Sequence, residues 1–272
     1  MRAALIAATL TGLATGLGAL PFLFVRELHR RVYDGILGLG AGLMLAAATL
    51  GLLSEALETT RAEGAGHAGL AMIVGGFIVG VALAAAMDRL IPHRHASGHH
   101  QHIGHGPGHD HHDRHHDDDL APAHELRRGY AIIGALAIHR IPEGLAIGAG
   151  FEAGHQSRLG LLLSIAVGLQ NACEGIVMAA PLRAAGADAV RSTALITLTG
   201  LATPVAALVG SSLAGATATA MPFILSLAAG TLIYVTSNEI IPESHSHGHE
   251  GTASSGVVLG FLLTMILKAV LG

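Results

Sequence analysis

Eight apolar runs divide this chain, and each is long enough to cross a bilayer as a helix. They cover about 3–25, 33–56, 67–90, 127–150, 158–180, 187–213, 218–241 and 253–271. A hydrocarbon core about 30 Å thick takes roughly 20 helical residues, and backbone inside it must satisfy its own hydrogen bonds. The expected fold class is therefore an all-α integral membrane protein with eight transmembrane helices. Composition agrees: charged residues are 12% of the chain, about half the usual roughly 25% of a soluble domain. The 37 glycines suit close helix packing through small residues.

The only long connection is 91–126, so the chain divides into helices 1–3 (residues 1–90), a loop (91–126) and helices 4–8 (127–272), one transmembrane domain overall. Basic residues orient it. Arg26, Arg30, Arg31, Arg89, Arg94, Arg114, Arg127, Arg128, Arg183 and Arg191 fall on one side; Arg2, Arg61, Arg158 and Lys268 fall on the other. The positive-inside rule then places the long loop in the cytoplasm and both termini outside. Met1-Arg2 leads straight into an apolar run, so no cleavable leader is expected. Cys173 is the single cysteine, which excludes an internal disulfide and multi-cysteine zinc sites. A net charge of −4 points to no nucleic-acid partner.

An internal repeat is visible. Thr11-Gly12-Leu13-Ala14-Thr15 returns as Thr199-Gly200-Leu201-Ala202-Thr203, a shift of 188, and at the same shift Ala41-Gly42 returns as Ala229-Gly230 and Glu55 as Glu243. The repeat relates spans 1–3 to spans 6–8. Five spans separate the starts of the copies, so they cross the membrane in opposite senses, the inverted-repeat plan of many secondary transporters. Spans 4 and 5 lie between the copies.

Those two spans carry the ionisable groups. Span 4 contains His139-Arg140-Ile141-Pro142-Glu143-Gly144, and span 5 contains Gln170-Asn171-Ala172-Cys173-Glu174-Gly175. Residues four apart share a helix face, so His139 joins Glu143 and Gln170 joins Glu174. Buried ionisable groups in a membrane mark a functional site. One imidazole, two carboxylates and an amide suit Zn²⁺, Cd²⁺, Fe²⁺ or Mn²⁺. Pro142 has no N–H, which frees the carbonyl of Ile138 beside His139.

Residues 93–119 hold eleven His and five Asp. The tract cannot bury a core, so disorder is expected, and its histidines, among them His99, His100, His102, His105, His109, His111, His112, His115 and His116, suit divalent metals. His245-Ser246-His247-Gly248-His249 is a weaker echo after span 7.

The pattern resembles the ZIP (Zrt/Irt-like protein) family of divalent metal transporters, in its bacterial branch. The carrying residues are His139, Pro142-Glu143-Gly144, Gln170, Glu174-Gly175 and Glu239-Ile240-Ile241-Pro242-Glu243. The resemblance implies a homodimer in the bacterial inner membrane that moves metal into the cytoplasm by an elevator-like motion. It also implies a two-metal site, whose first position matches Met44, His139, Glu143, Gln170 and Glu174. The second position departs from the family. Arg140 stands where Asn is usual, Asn171 where an acidic residue is frequent, and Thr203 where bacterial relatives carry Glu. Arg is effectively always protonated, so one metal is expected, with the Arg140 guanidinium in place of the second and paired with Glu143 or Glu174. The metal is cargo rather than a cofactor.

Around the site, Asp88, Asn238, Glu239, Glu243 and His245 are expected to form a cytoplasmic exit path, and Glu55 and Glu58 an outer mouth that attracts cations. Two other readings stay open at this point. One is an intramembrane metal-dependent hydrolase, although the His-Glu-x-x-His pattern is absent. The other is a metal sensor or buffer acting through the His-rich loop.

Overall fold

The computed structural model describes residues 1–90, 121–153, 158–216 and 220–271. The expected loop histidines, His99 to His116, lie outside these residues. Everything regular in the described residues is helical. The helices are α1 (Arg2–Ala19), α2 (Arg30–Ala46), α3 (Ser54–Ala62), α4 (Gly66–Leu90), α5 (Ala121–Glu152), α6 (Arg158–Ala184), α7 (Ala189–Thr199), α8 (Ala202–Ala216), α9 (Met221–Val235), α10 (Ile241–Ser244) and α11 (Glu250–Leu271). Two π-helical segments interrupt them. Ala47–Leu53 joins α2 to α3, and Thr236–Ile240 joins α9 to α10.

Seven helical segments among the described residues are long and apolar enough to cross a membrane: Arg2–Leu23, Arg30–Ala62, Gly66–Arg89, Arg158–Ala184, Ala189–Gly215, Met221–Ser244 and Glu250–Leu271. Helix α5 occupies the stretch where the sequence places its fourth span, and runs through Pro142 as one helix. Two helix starts are capped by side chains: His29 Nδ1 accepts from the Arg31 amide, and Asp188 Oδ1 accepts from the Arg191 amide at 2.8 Å. Large apolar side chains such as Ile6, Leu10, Leu17, Val205 and Ile266 face outward, as lipid-facing positions do.

Glycines set the packing, because they let one helix backbone reach the next. The contacts come in matched pairs. Gly76 and Gly80 of α4 face the carbonyls of Phe223 and Leu227 on α9, while Gly256 and Gly260 of α11 face those of Gly35 and Leu39 on α2. Gly230 faces the Phe77 carbonyl, and Gly42 faces that of Val257. Each pair is related by shifts of 188 and 180, so α4 on α9 and α11 on α2 are the same interface built twice. Likewise α5 packs on α8 and α6 on α1, with Gly144 against the Thr203 carbonyl and Gly175 against that of Thr15. Gly12 and Gly200 face each other's carbonyls, a reciprocal contact that a two-fold relation produces. The repeat read from short sequence matches thus extends through the packing.

Candidate metal-transport site

The site forms where α5 and α6 meet, flanked by α1 on one side and α8 on the other. Glu143 and Arg140 are fully buried, and Gln170 and Glu174 nearly so. Arg140 donates from Nη2 to Glu174 Oε2 at 2.9 Å. Gln170 Nε2 donates to Glu143 Oε1 at 3.1 Å and, in a short contact, to Glu174 Oε1. One amide therefore bridges two carboxylates, and one guanidinium pairs with a carboxylate that is almost wholly buried. His139, also buried, places Nε2 3.3 Å from Glu239 Oε1. Met44 lies on α2, where its Sδ accepts from the Thr236 hydroxyl at 3.6 Å; it lines a small internal space together with Gln170.

Donor atoms remain. His139 Nδ1, Glu143 Oε2 and Gln170 Oε1 have no hydrogen-bond partner among the described residues. They are nitrogen and oxygen donors of the kind a borderline divalent cation takes. Arg140 Nε and Nη1 are also unpartnered there. Among the described residues, no three His, Cys, Asp or Glu are set as a closed metal cage. The donors are tied to one another instead.

Of the three residues expected at a second metal position, Arg140 holds a carboxylate and Asn171 does not. Asn171 donates from Nδ2 to the Thr11 carbonyl at 3.0 Å, turning toward α1. Thr203 is buried on α8, its hydroxyl without a partner among the described residues.

Two of the expected exit residues are linked to each other and the rest have other partners. Glu239 reaches His139, and Asn238 donates to Asp88 Oδ2 at 3.0 Å. Both Asn238 and Glu239 lie on the second π segment, a kind of helix distortion frequent at functional sites. His245 is held by the Ile241 carbonyl at 2.9 Å and by Ser254 at 3.0 Å. Glu243 is half exposed and 4.0 Å from His247. At the other end, Glu58 is exposed and accepts from Ser54 at 3.1 Å, while Glu55 sits half-buried on α3.

Two features escape sequence reasoning. The Lys268 ammonium donates to the Leu50 carbonyl in the first π segment and to Ser54 Oγ at 2.9 Å. Asp34, wholly buried, holds both His247 and His249. The single lysine and the lone acidic residue at the start of span 2 were the signals available for them.

Comparison with known proteins places these features in a family. The family model described as ZIP Zinc transporter matches residues 84–268. The chain is 36% identical over 273 residues to the zinc transporter GufA of Myxococcus xanthus, covering the whole of both chains. It is 37% identical over 260 residues to the zinc transporter ZIPB of Bordetella bronchiseptica, covering 95% of this chain and 78% of that one. It is 30% identical to the zinc transporter ZupT of Chlorobium luteolum over 95% of this chain. These relatives are transporters, so the hydrolase reading is not favoured. A helical membrane architecture, a buried His–Glu–Gln–Glu donor set and matches of this length agree: the chain belongs to the ZIP zinc transporter family.

Proposed function

We propose that this protein carries divalent transition-metal ions, zinc foremost, across a bacterial inner membrane into the cytoplasm, one ion at a time. The ligands are His139, Glu143, Gln170 and Glu174, with Met44 alongside. The observation that carries the single-ion reading is the 2.9 Å ion pair between Arg140 and Glu174 inside the buried site. Two carboxylates against one divalent cation and one guanidinium stay near charge balance. Two divalent cations beside the same guanidinium do not, and uncompensated buried charge is costly.

In this reading α5 is the fourth span and brings the total to eight, and the repeated halves lie inverted in the membrane. Alternating access is an elevator-like movement within a homodimer, and the termini lie outside. The ion enters past Glu55 and Glu58. It leaves by way of Glu239, Asn238 and Asp88, then Glu243 and His245, into a cytoplasm lined by the His-rich tract 93–119. The loop concentrates ions and is not itself the carrier. Cd²⁺, a soft relative of zinc, fits the same donors.

The test is metal content. Protein lacking residues 93–119, incubated with Zn²⁺ or Cd²⁺, is expected to retain about one ion per protomer and to lose it in Glu143→Ala. Two ions within about 4 Å of each other, the spacing of two-metal enzyme sites, would defeat the single-ion reading. No bound ion would remove the chemistry from the membrane altogether.

A further inference from the structure

Asp34 lies one turn into α2 and is wholly buried, yet each of its carboxylate oxygens meets an imidazole. His247 Nδ1 lies 2.8 Å from Oδ1, and His249 Nδ1 lies 3.1 Å from Oδ2. Both histidines belong to the turn between α10 and α11, where Gly248 takes a φ of 82° and lets the chain fold back between them. A carboxylate only accepts, so both Nδ1 atoms carry protons. The other nitrogen of His247 faces Arg30 Nη1 at 3.4 Å. Arg only donates, so His247 Nε2 is the acceptor and its lone pair is directed at Arg30. Tyr33 packs edge-on against the same ring at 5.8 Å and holds its plane.

This is the arrangement by which a carboxylate fixes a metal-binding histidine: Nδ1–H to the carboxylate, Nε2 free to ligate. Glu243 supplies a second donor, its Oε1 4.0 Å from His247 Nε2. Two ligand atoms on a tetrahedral zinc, with bonds of about 2.0–2.1 Å, sit roughly 3.3 Å apart. The half-exposed Glu243 side chain closes that difference by a rotamer adjustment. His249 opens onto a surface cavity of about 630 Å³, also lined by His29 and Glu250, which gives the cluster access to water.

We infer that His247 and Glu243 form a separate binding site for a borderline divalent cation such as Zn²⁺, with His249 offered beside it and Asp34 as the positioning residue for both imidazoles. The inference rests on the transport reading, because Glu243 belongs to the proposed exit. It adds a release-side station outside the span 4–5 site, built by α2 and the α10–α11 turn. Arg30 occupies the imidazole while the metal is away.

The experiment is zinc anomalous scattering from crystals of the full chain over a series of Zn²⁺ concentrations. A peak bonded to His247 Nε2 and the Glu243 carboxylate is expected, retained in Glu143→Ala and lost in His247→Ala. Asp34→Asn is expected to raise the Zn²⁺ concentration for half occupancy about 10- to 100-fold while leaving the span 4–5 peak unchanged. Asp34→Glu is expected to recover part of the loss. His247→Ala keeps the test valid if the Asp34 variants do not fold. A filled span 4–5 site with no peak at His247 overturns the inference and leaves the transport reading standing. Absence of both peaks overturns both.

Discussion

Arg140 Nη2 and Glu174 Oε2 lie 2.9 Å apart, the guanidinium fully buried and the carboxylate nearly so. The guanidinium therefore competes with an arriving ion for one of the two carboxylates. Removing it exposes what it was balancing. Breaking a buried pair from one side costs about 3–5 kcal/mol. Arg140→Met is expected to lower the melting temperature of the metal-free protein, and Zn²⁺ is expected to raise it more in the variant than in the parent. Equal zinc-induced shifts in differential scanning fluorimetry would show that Arg140 and the ion do not share Glu174.

Gln170 bridges Glu143 and Glu174 through a single Nε2, leaving Oε1 for the ion. The amide thus has two tasks, holding the carboxylates together and ligating. Gln170→Glu puts a third carboxylate where a donor N–H had been. Like charges at that spacing repel, so the metal-free protein is expected to lose stability while zinc affinity rises. Gln170→Leu removes both tasks and is expected to lower zinc uptake by at least about tenfold, the smaller end of what supporting metal-site groups contribute. Uptake of ⁶⁵Zn²⁺ into proteoliposomes reads both variants.

Much of this was legible in the sequence, for physical reasons. The spans follow from apolar length. The contact of Gln170 with Glu174 follows from helical spacing, whereas His139, read beside Glu143 on the same spacing, reaches Glu239 on another helix. The shift of 188 was visible only in a few short matches, yet the glycine contacts repeat it through four helix interfaces. What stayed hidden needs the third dimension. Nothing local joins Asp34 to His247 and His249, more than 200 positions away. Nor does a sequence reveal a π segment, where one extra residue in a turn redirects the carbonyl of Leu50. Arg140 could be seen as a departure from the family, but its choice of Glu174 over Glu143 depends on how α5 lies against α6.

The reciprocal contact of Gly12 with Gly200 gives a paired expectation. A Cβ on either residue meets the carbonyl of the other, so the helices must separate. Gly12→Ala and Gly200→Ala are each expected to destabilise by about 1–3 kcal/mol, the usual cost of overpacking, and by similar amounts to each other. Gly75, in the middle of α4, has open space where its Cβ would go, and Gly75→Ala is expected to be tolerated. Unequal losses at positions 12 and 200 would mean that the two-fold relation fails at its centre. Unfolding in detergent, followed by circular dichroism, distinguishes these outcomes.

Lys268 and Asp88 stand at equivalent places in the repeat, related by the same shift of 180 that pairs Gly80 with Gly260. Their partners, Leu50 and Asn238, are related by 188. Equivalent positions are thus tied in both copies, by an ammonium to a backbone carbonyl in one and by a carboxylate to a side-chain amide in the other. On the proposed orientation the cationic end is the outer mouth, where Ser54 links Lys268 to Glu58. A fixed ammonium there opposes the approach of a divalent ion, by about 1 kcal/mol at 8 Å in water, and the effect fades with salt. Lys268→Met is expected to lower the apparent KM for zinc severalfold at low ionic strength and to leave the maximal rate near that of the parent. The difference is expected to shrink above about 0.5 M salt, where screening is nearly complete. A changed maximal rate with no change in KM would instead assign Lys268 to holding α11 against the π segment, with no part in guiding the ion.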